Sequence, residues 1–153
     1  MLKKTKNYLT FKIEVDGAKS FQELIEKAKF DWINPDVNEK NFPIKQKTKH
    51  IVTIKLFNFN RFISSEEVIK NIKKNGFRPA FIEELIVLAT NYPDLQKKFP
   101  VVALGSMWNK GNNHFTVPEI YWHGPGHSLS ICGQGGESIN LIKLITSNLD
   151  FYR

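Results

Sequence analysis

Two histidines and the only cysteine of the chain stand close together in its last third. His123 and His127 bracket a Gly-Pro-Gly turn, and Cys132 follows five positions later. Imidazole nitrogen and thiolate sulfur are ligands of zinc and related metals, so this spacing could bring three ligands together. A fourth ligand would have to come from elsewhere, with Glu119, Glu137 and His114 as the candidates, and such histidines and cysteines are commonly surface or packing residues. We therefore predict no metal and no other cofactor, with His123, His127 and Cys132 as the only metal candidates.

Cys132 could also act as a nucleophile with a histidine as its base. No local signature supports that arrangement, and separation in the sequence does not show contact, so an inert thiol is favoured. The glycine-rich segment 132–138 follows a predicted strand and could cradle a phosphate. It matches neither G-x-G-x-x-G nor G-K-[ST], and a flexible hairpin is the favoured interpretation.

Aromatic residues form a further candidate group. Trp108, Tyr121 and Trp122 flank a predicted hairpin, and His123 follows directly. Aromatic side chains with a polar edge offer a large contact area for few rotatable bonds, although core packing is the ordinary alternative. Neighbouring residues of a strand point to opposite faces, so Tyr121 and Trp122 cannot both face the core. We predict that this aromatic hairpin contacts a ligand or a partner.

The leading functional prediction is a small, non-catalytic binding or interaction domain of unknown partner, with a protein as one candidate. A small hydrolase or metal-dependent enzyme built on His123, His127 and Cys132 is the first alternative. A basic nucleic-acid-binding protein is the second, because 22 Lys and Arg against 15 Asp and Glu give a net charge of +7. Only 3 of those 22 are Arg, the residue best suited to base and phosphate contacts, and the chain is rich in Lys, Asn, Ile and Phe, whose codons are rich in A and T. Nucleic acid is therefore not the favoured partner.

The expected cellular location follows from the number of cysteines and from the length of the apolar runs. A lone cysteine forms no intrachain disulfide, and a cytoplasmic location is the expectation. The longest uninterrupted apolar run is Leu85–Ala89, whereas a membrane-spanning helix needs about 18 apolar residues or more. We predict no membrane association and no secretory signal peptide.

The first third of the chain contains a strand and a helix. Residues 8–15 alternate between apolar and polar types, which predicts a half-buried strand. Ser20 and Glu23 have the spacing of a capping box and precede apolar residues at helical intervals, which predicts an amphipathic helix. Residues 30–49 show little periodicity and many turn residues, and we interpret them as a long surface connection.

The middle of the chain predicts one strand and two helices. Residues 51–59 are apolar on both faces, as in a central strand. Ser64 and Glu67 give the start of a second helix, and Gly76 ends it. The third helix is predicted over residues 80–91.

The last third predicts an antiparallel meander of strands over residues 101–108, 115–122 and 129–132. Pro118 lacks a backbone donor, so its strand should lie at an edge or carry a bulge. Residues 139–145 fit a strand slightly better than a helix. The order of elements indicates an α+β fold, a mainly antiparallel sheet with about three helices packed on one face. All 153 residues form one predicted globular domain, with 1–7 as a flexible basic N-terminus.

Several segments together carry a resemblance. They are Trp-Ile-Asn-Pro-Asp at 32–36, Asn-Phe-Pro-Ile at 41–44, Gly-Phe-Arg-Pro-Ala at 76–80, Glu-Glu-Leu at 83–85, Tyr-Pro-Asp-Leu-Gln at 92–96 and Phe-Pro-Val-Val-Ala-Leu-Gly-Ser-Met-Trp at 99–108. Over residues 8–122 the chain resembles a family of small uncharacterised proteins from genome-reduced bacteria, from which it departs downstream. The resemblance implies one compact domain and no catalytic residue. Arg78, a further candidate binding residue, lies in a matching segment, which favours a role in bracing the junction between two helices.

Overall fold

The computed structural model describes residues 9–57, 64–124, 126–134 and 143–148. Within these ranges three α-helices are present: Phe21–Ala28 (α1), Ser65–Lys74 (α2) and Ile82–Asn91 (α3). The longest have 10 residues, and none of the described helices is long and apolar enough to cross a membrane. The predicted basic N-terminus 1–7, residues 58–59, residues 135–138 of the glycine-rich segment and residues 139–142 lie outside the described residues.

The strands form one mixed sheet. They are Thr10–Asp16 (β1), Trp32–Ile33 (β2), Lys49–Phe57 (β3), Phe77–Pro79 (β4), Val101–Val102 (β5), Trp108–Asn109 (β6), Phe115–His123 (β7), Gly126–Gln134 (β8) and Lys143–Asn148 (β9). The order is β1-β3-β9-β5-β7-β8-β2, with β4 also paired to β9 and β6 to β7. The pairs β2–β8 and β5–β9 are parallel and the others antiparallel. The α+β class is confirmed, and the sheet is mixed rather than purely antiparallel.

The first two helices begin where the capping residues predict. The Ser20 hydroxyl accepts a hydrogen bond from the Glu23 N–H at 3.1 Å, and the Glu23 carboxylate accepts one from the Ser20 N–H at 2.9 Å. Ser64 caps α2 in the same way, accepting from the Glu67 N–H at 3.1 Å. Such caps satisfy backbone donors that the first turn leaves unpaired. Gly76, with a φ of 86°, ends α2 in the left-handed conformation that glycine adopts at low cost.

The helices cover two faces of the sheet. Val101 and Val102 are neighbours in β5, yet Val101 belongs to the main core with α1 and α3, and Val102 to a smaller cluster with Val68 and Ile72 of α2. Since neighbouring strand residues point to opposite sides, the two clusters lie on opposite faces. We call the side of α1 and α3 the inner face and the side of α2 the outer face. The three predicted helices are present, with α2 across the sheet from the other two.

Pro118 lies in the interior of the sheet, contrary to the edge or bulge that the sequence predicts. Its strand β7 pairs with β8 without a bulge, and Pro118 is paired with Ile131. On the other side the predicted strand 101–108 is divided into β5 and β6, and the Pro118 carbonyl accepts from the Ala103 N–H at 3.2 Å. In extended backbone the nitrogen of a residue points to the same side as its carbonyl. The missing donor of Pro118 therefore faces the break between β5 and β6, where no ladder bond is lost.

The predicted surface connection 30–49 packs into the fold. It contributes β2 to the sheet and three buried apolar side chains, Val37, Phe42 and Ile44, to the main core. Its bends are held by side-chain amides: Asn38 accepts from the Asn41 N–H at 2.9 Å and donates to the Pro35 carbonyl at 3.0 Å. Side chains buried from an irregular segment follow no helical or strand period, so the sequence pattern does not identify them.

Gly105 packs against the junction of β4 and α3. Its N–H donates to the Ala80 carbonyl at 2.7 Å. A Cβ atom at Gly105 would come within 2.6 Å of the Ala80 carbonyl oxygen and 2.9 Å of the Pro79 carbonyl oxygen. Because backbone atoms cannot move aside like a flexible side chain, we expect Gly105→Ala to lower the free energy of unfolding by about 1–3 kcal/mol.

Urea unfolding of Gly105→Ala beside a matched variant, Gly133→Ala, checks this expectation. A Cβ at Gly133 would have its nearest contact at 3.7 Å, an ordinary van der Waals distance. We expect that variant to stay within about 0.5 kcal/mol of the parent. Equal stability of the two variants would contradict the close packing of Gly105.

Candidate binding site on the outer face of the sheet

The three metal candidates of the sequence do not all lie on the same face of the sheet. The ring of His127 stacks on that of Phe30, a residue packed against the main core, with 4.5 Å between ring centroids. Cys132 packs against the smaller cluster of the outer face. His123 is exposed, and its ring lies 5.9 Å from that of Tyr121. No group of three metal-ligating side chains occurs among the described residues.

His127 is built into the inner face of the hairpin. Its ring nitrogen Nδ1 is hydrogen-bonded to the side-chain amide of Gln96, and its backbone N–H donates to the Asp31 carboxylate at 2.9 Å. Burial lowers the pKa of His127, which favours the neutral ring. The His127 side chain therefore ties β8 to the segment around Gln96 rather than meeting Cys132, and its backbone N–H ties β8 to Asp31.

The three predicted aromatic residues also separate. Trp108 packs against Phe42 of the main core, with 5.9 Å between ring centroids in an edge contact. Trp122 is 44% exposed, and the Lys97 ammonium lies 4.7 Å from its ring centroid. Trp122 is paired with His127 and so belongs to the inner face. Tyr121, its neighbour in β7, faces the outer side, as the alternation of a strand requires.

Trp32 joins Tyr121 on the outer face. Tyr121 is paired with Ser128 of β8, and Ser128 with Trp32 of β2, so the three form one row across the end of the sheet. Neighbouring strands lie about 4.8 Å apart, which places the backbones of Trp32 and Tyr121 about 10 Å apart. The Trp32 side chain is 43% exposed. Two aromatic side chains thus flank the small, buried Ser128.

The next row across the same strands contains Glu119. It is paired with Val102 of β5 on one side and Ser130 of β8 on the other. The Ser130 hydroxyl accepts a hydrogen bond from the Asn34 side-chain amide at 3.1 Å, which confirms that these side chains share a face. Glu119 itself is half-buried, and its carboxyl group forms no hydrogen bond or ion pair within the described part of the chain.

Burial raises the pKa of Glu119 from 4.5 to about 7. Burial is the sole cause of the shift, so no charged group among the described residues acts on this carboxyl appreciably. Near neutral pH the group therefore exists in both forms, a hydrogen-bond donor when protonated and an unpaired anion when ionised.

These side chains define the outer-face site: Trp32, Glu119, Tyr121 and His123, with Ser128 and Ser130 as its floor. Tyr121 lies two positions after Glu119 in β7, so both point to the same side. The exposed His123 follows Tyr121 along β7 on the same face, with its ring near the Tyr121 ring. The site offers aromatic surface, hydroxyl groups and one carboxyl group that has no partner in the described part of the chain, which are means of holding a ligand by contact.

Arg78 lies apart from this site, in a buried ionic cluster. Its guanidinium group donates to both carboxylate oxygens of Glu84, at 3.1 and 2.6 Å, and stacks over the Phe81 ring at 4.3 Å. Glu84 is 0% exposed and also accepts from the Phe81 N–H at 2.8 Å. His50 completes the cluster, its Nε2 atom 3.9 Å from the Glu84 carboxylate. The contacts join β4 and β3 to the start of α3.

The charged groups of the cluster stabilise one another in their ionised forms. Burial acts to raise the pKa of Glu84, but the nearby His50 and the hydrogen bonds from Arg78 outweigh it, and the pKa is lowered. The nearby Glu84 carboxylate raises the pKa of His50. Glu84 is therefore an anion whose negative charge is balanced within the protein.

Glu83 has a separate structural contact. Its buried carboxylate accepts hydrogen bonds from the N–H groups of Lys45 and Gln46, at 3.1 and 2.8 Å. Burial raises the pKa of Glu83. In the sequence, the acidic residues Glu83 and Glu84 are explained by their position alone, since acidic side chains favour the first turn of a helix. The structure adds that Glu83 and Glu84 anchor other parts of the chain to α3.

Three of the six segments that carry the resemblance meet at this junction. Arg78 of the segment 76–80 pairs with Glu84 of 83–85. From the segment 99–108, the Gly105 N–H donates to the Ala80 carbonyl at 2.7 Å, and the Ser106 hydroxyl accepts from the Ile82 N–H at 2.8 Å. The most specific sequence pattern of the chain thus describes a structural junction at the start of α3.

Sequence reasoning found Tyr121 and His123 but missed the importance of Trp32 and Glu119. Trp32 entered only through the resemblance, and Glu119 only as a candidate fourth metal ligand. The signal that would identify them is the pairing of distant strands, which no local stretch of the sequence contains.

Comparisons of the chain with protein-family models, with curated proteins and with solved structures gave no match.

Proposed function

We propose that the protein is a small, non-catalytic binding domain that holds its ligand or partner on the outer-face site. One observation carries this proposal: an exposed tryptophan and a half-buried carboxyl group that has no partner among the described residues lie in adjacent rows on one face of the sheet. Tyr121, in the row of Trp32 and two positions from Glu119 in β7, is the second aromatic wall. Burying a carboxyl group without a partner costs stability, so its presence is accounted for by an interaction with another molecule.

Two expectations from the sequence accompany the proposal. Membership of the family that the quoted segments resemble stays a prediction, and so does a cytoplasmic location in a bacterium. A hydrolase or metal-dependent enzyme is less well supported, because His127 faces the opposite side of the sheet from His123 and Cys132. Nucleic acid is less well supported as well, because the outer-face site carries a carboxyl group and its described side chains include no Lys or Arg.

The three tryptophans supply the test, because each has its own indole N–H signal in an NMR spectrum and each lies in a different environment. Fragments with aromatic, sugar, ammonium and phosphate groups are screened by these signals. We expect the fragments that bind to shift the indole signal of Trp32 alone. Trp122, equally exposed but on the inner face, and Trp108, packed on the core, are internal controls.

A Trp32→Leu variant should lose the binding of these fragments, whereas Trp122→Leu should retain it. Fragments that shift Trp122 while leaving Trp32 unmoved would place the binding surface elsewhere. A full set without any shift at Trp32 would contradict the proposal.

A further inference from the structure

We propose that the outer-face site binds an organic ammonium group, with Glu119 as its counter-charge and Trp32 and Tyr121 as aromatic walls. This inference rests on the proposed binding function and names the chemistry of the ligand. It applies equally to a free ammonium compound and to an alkylated lysine side chain of a partner protein, which present the same group.

Charge complementarity supports a cation. The chain has a net charge of +7, yet none of its described basic side chains pairs with Glu119. The side chains that face Glu119 come from three strands: Val102 of β5, Tyr121 and Val117 of β7, and Ser130 of β8. None of them is a basic residue. Among the described residues an ionised Glu119 thus lacks a positive partner, which a ligand can supply.

The aromatic walls support an organic cation over a metal ion. A cation above an aromatic ring is attracted by the negative face of the ring, and quaternary ammonium groups are held by aromatic cages in this way. Trp gives the strongest such contact, and Trp32 is exposed. Among the described residues no group of three metal-ligating side chains exists, so one carboxylate with two rings suits a weakly hydrated organic ion better than a metal.

Ser128 and Ser130 provide room between the walls. They are small residues at the positions between Trp32 and Tyr121 and beside Glu119. The hydroxyl of Ser128 lies near the Gly126 carbonyl, at 3.2 Å, and that of Ser130 accepts from Asn34. Both hydroxyls are engaged within the protein, so the floor is small and satisfied, and the carboxyl group of Glu119 remains the group that a ligand would address.

The affinity for choline can be compared with the affinity for its uncharged isostere, 3,3-dimethylbutan-1-ol, by calorimetry and by the shift of the Trp32 indole signal. The two compounds have the same shape and differ in charge. We expect choline to bind at least about tenfold more tightly, because cation–π contact and the carboxylate act on the charged compound alone. A peptide with a trimethyl-lysine is a second probe. Binding of choline alone would identify a free ligand, and tighter binding of the peptide a protein partner, and both results support the ammonium site.

Variants distinguish the named groups. Glu119→Gln keeps the shape of the side chain and removes its charge, so the preference for choline over its isostere should fall about tenfold or more. Trp32→Leu should weaken choline binding, and Trp122→Leu, its match in exposure on the other face, should leave it unchanged.

Affinity for choline should also rise between pH 6 and pH 8, as Glu119 ionises. Glu119→Gln should abolish this rise.

Several outcomes would overturn the inference. Equal affinity for choline and its isostere would show that the charge of the ligand plays no part, and a preference that survives in Glu119→Gln would show that Glu119 is not the counter-charge. If neither choline nor the trimethyl-lysine peptide bound while uncharged fragments still shifted Trp32, the ammonium site would be wrong and the binding function would stand. If no compound of any class shifted Trp32, the proposed function would fail with it.

Discussion

Replacement of Arg78 by Met is expected to lower the free energy of unfolding by about 3–5 kcal/mol, because it leaves the Glu84 carboxylate buried without its main counter-charge. Arg78 is 9% exposed and donates two hydrogen bonds to Glu84, which is 0% exposed. Water cannot take the place of the guanidinium group at this depth. His50, with its Nε2 atom 3.9 Å from the carboxylate, is too distant to compensate fully. Urea unfolding measures the loss, with an unchanged m-value as the sign that the same transition is compared.

A second variant separates the missing charge from the missing packing. In Arg78→Met with Glu84→Gln, no buried anion remains, and the Gln side chain keeps an acceptor for the Phe81 N–H. We expect the double variant to regain a large part of the loss. Lys110→Met is the surface control, since its partner Asp36 lies 3.9 Å away and both side chains are exposed. Its effect should be within about 1 kcal/mol.

A loss below about 1 kcal/mol in Arg78→Met would contradict the buried ion pair. Equal losses in the single and the double variant would show that packing by the Arg78 side chain, rather than its charge, stabilises the junction.

The sequence predicted the local elements well because their causes are local. Ser20 with Glu23 and Ser64 with Glu67 are capping arrangements within four residues, and the structure shows the corresponding hydrogen bonds at the starts of α1 and α2. Gly76 ends α2 for an equally local reason, its positive φ. The α+β class follows from the order of such elements along the chain.

Long-range pairing set the limit of prediction. Trp32 and Ser128 are neighbours in parallel strands although 95 positions separate them, and β2 has only two residues. A strand of that length has no detectable alternation. The position of Pro118 depends in the same way on the break between β5 and β6 on the far side of its strand. Each of these features is decided by which distant strands pair.

The candidate site shows the same division. Alternation within β7 correctly separated Tyr121 from Trp122, because that rule needs only one strand. Assembly of the outer-face site needs Trp32 of β2 and Glu119 of β7 in adjacent rows, with β8 between them. The predicted aromatic hairpin therefore contained part of the site and, with Trp108 and Trp122, residues from elsewhere.

Glu119→Gln is expected to stabilise the unliganded protein above pH 7, the opposite of the usual effect of substitution. The folded-state pKa of Glu119 is raised from 4.5 to about 7 by burial. Between these values the folded protein binds more protons at this side chain than the unfolded chain does. The stability of the parent protein must therefore fall as pH rises from 4.5 to 7 and level off above it. Gln cannot ionise and avoids this loss.

The expected gain at pH 8 is about 1–3 kcal/mol, since one pKa unit corresponds to about 1.4 kcal/mol and partial exposure to water reduces the effect. At pH 4 the two proteins should be nearly equal in stability, because the carboxyl group is then protonated in both states. Urea unfolding at pH 4, 6 and 8 measures the difference. Glu14→Gln, an exposed residue of β1, is the matched control and should change stability by no more than about 0.5 kcal/mol at each pH.

A saturating organic cation should reverse the ranking of the two proteins. A ligand that binds only the folded state raises its stability by an amount that grows with ligand concentration over the dissociation constant. Choline should therefore stabilise the parent at pH 8 and leave Glu119→Gln nearly unaffected, because only the parent offers an ionised carboxylate. Equal stability of the two unliganded proteins at pH 8 would show that Glu119 is adequately solvated. In that case the carboxyl group would impose no cost that a ligand must offset, and the main physical reason for a cation at this site would be removed.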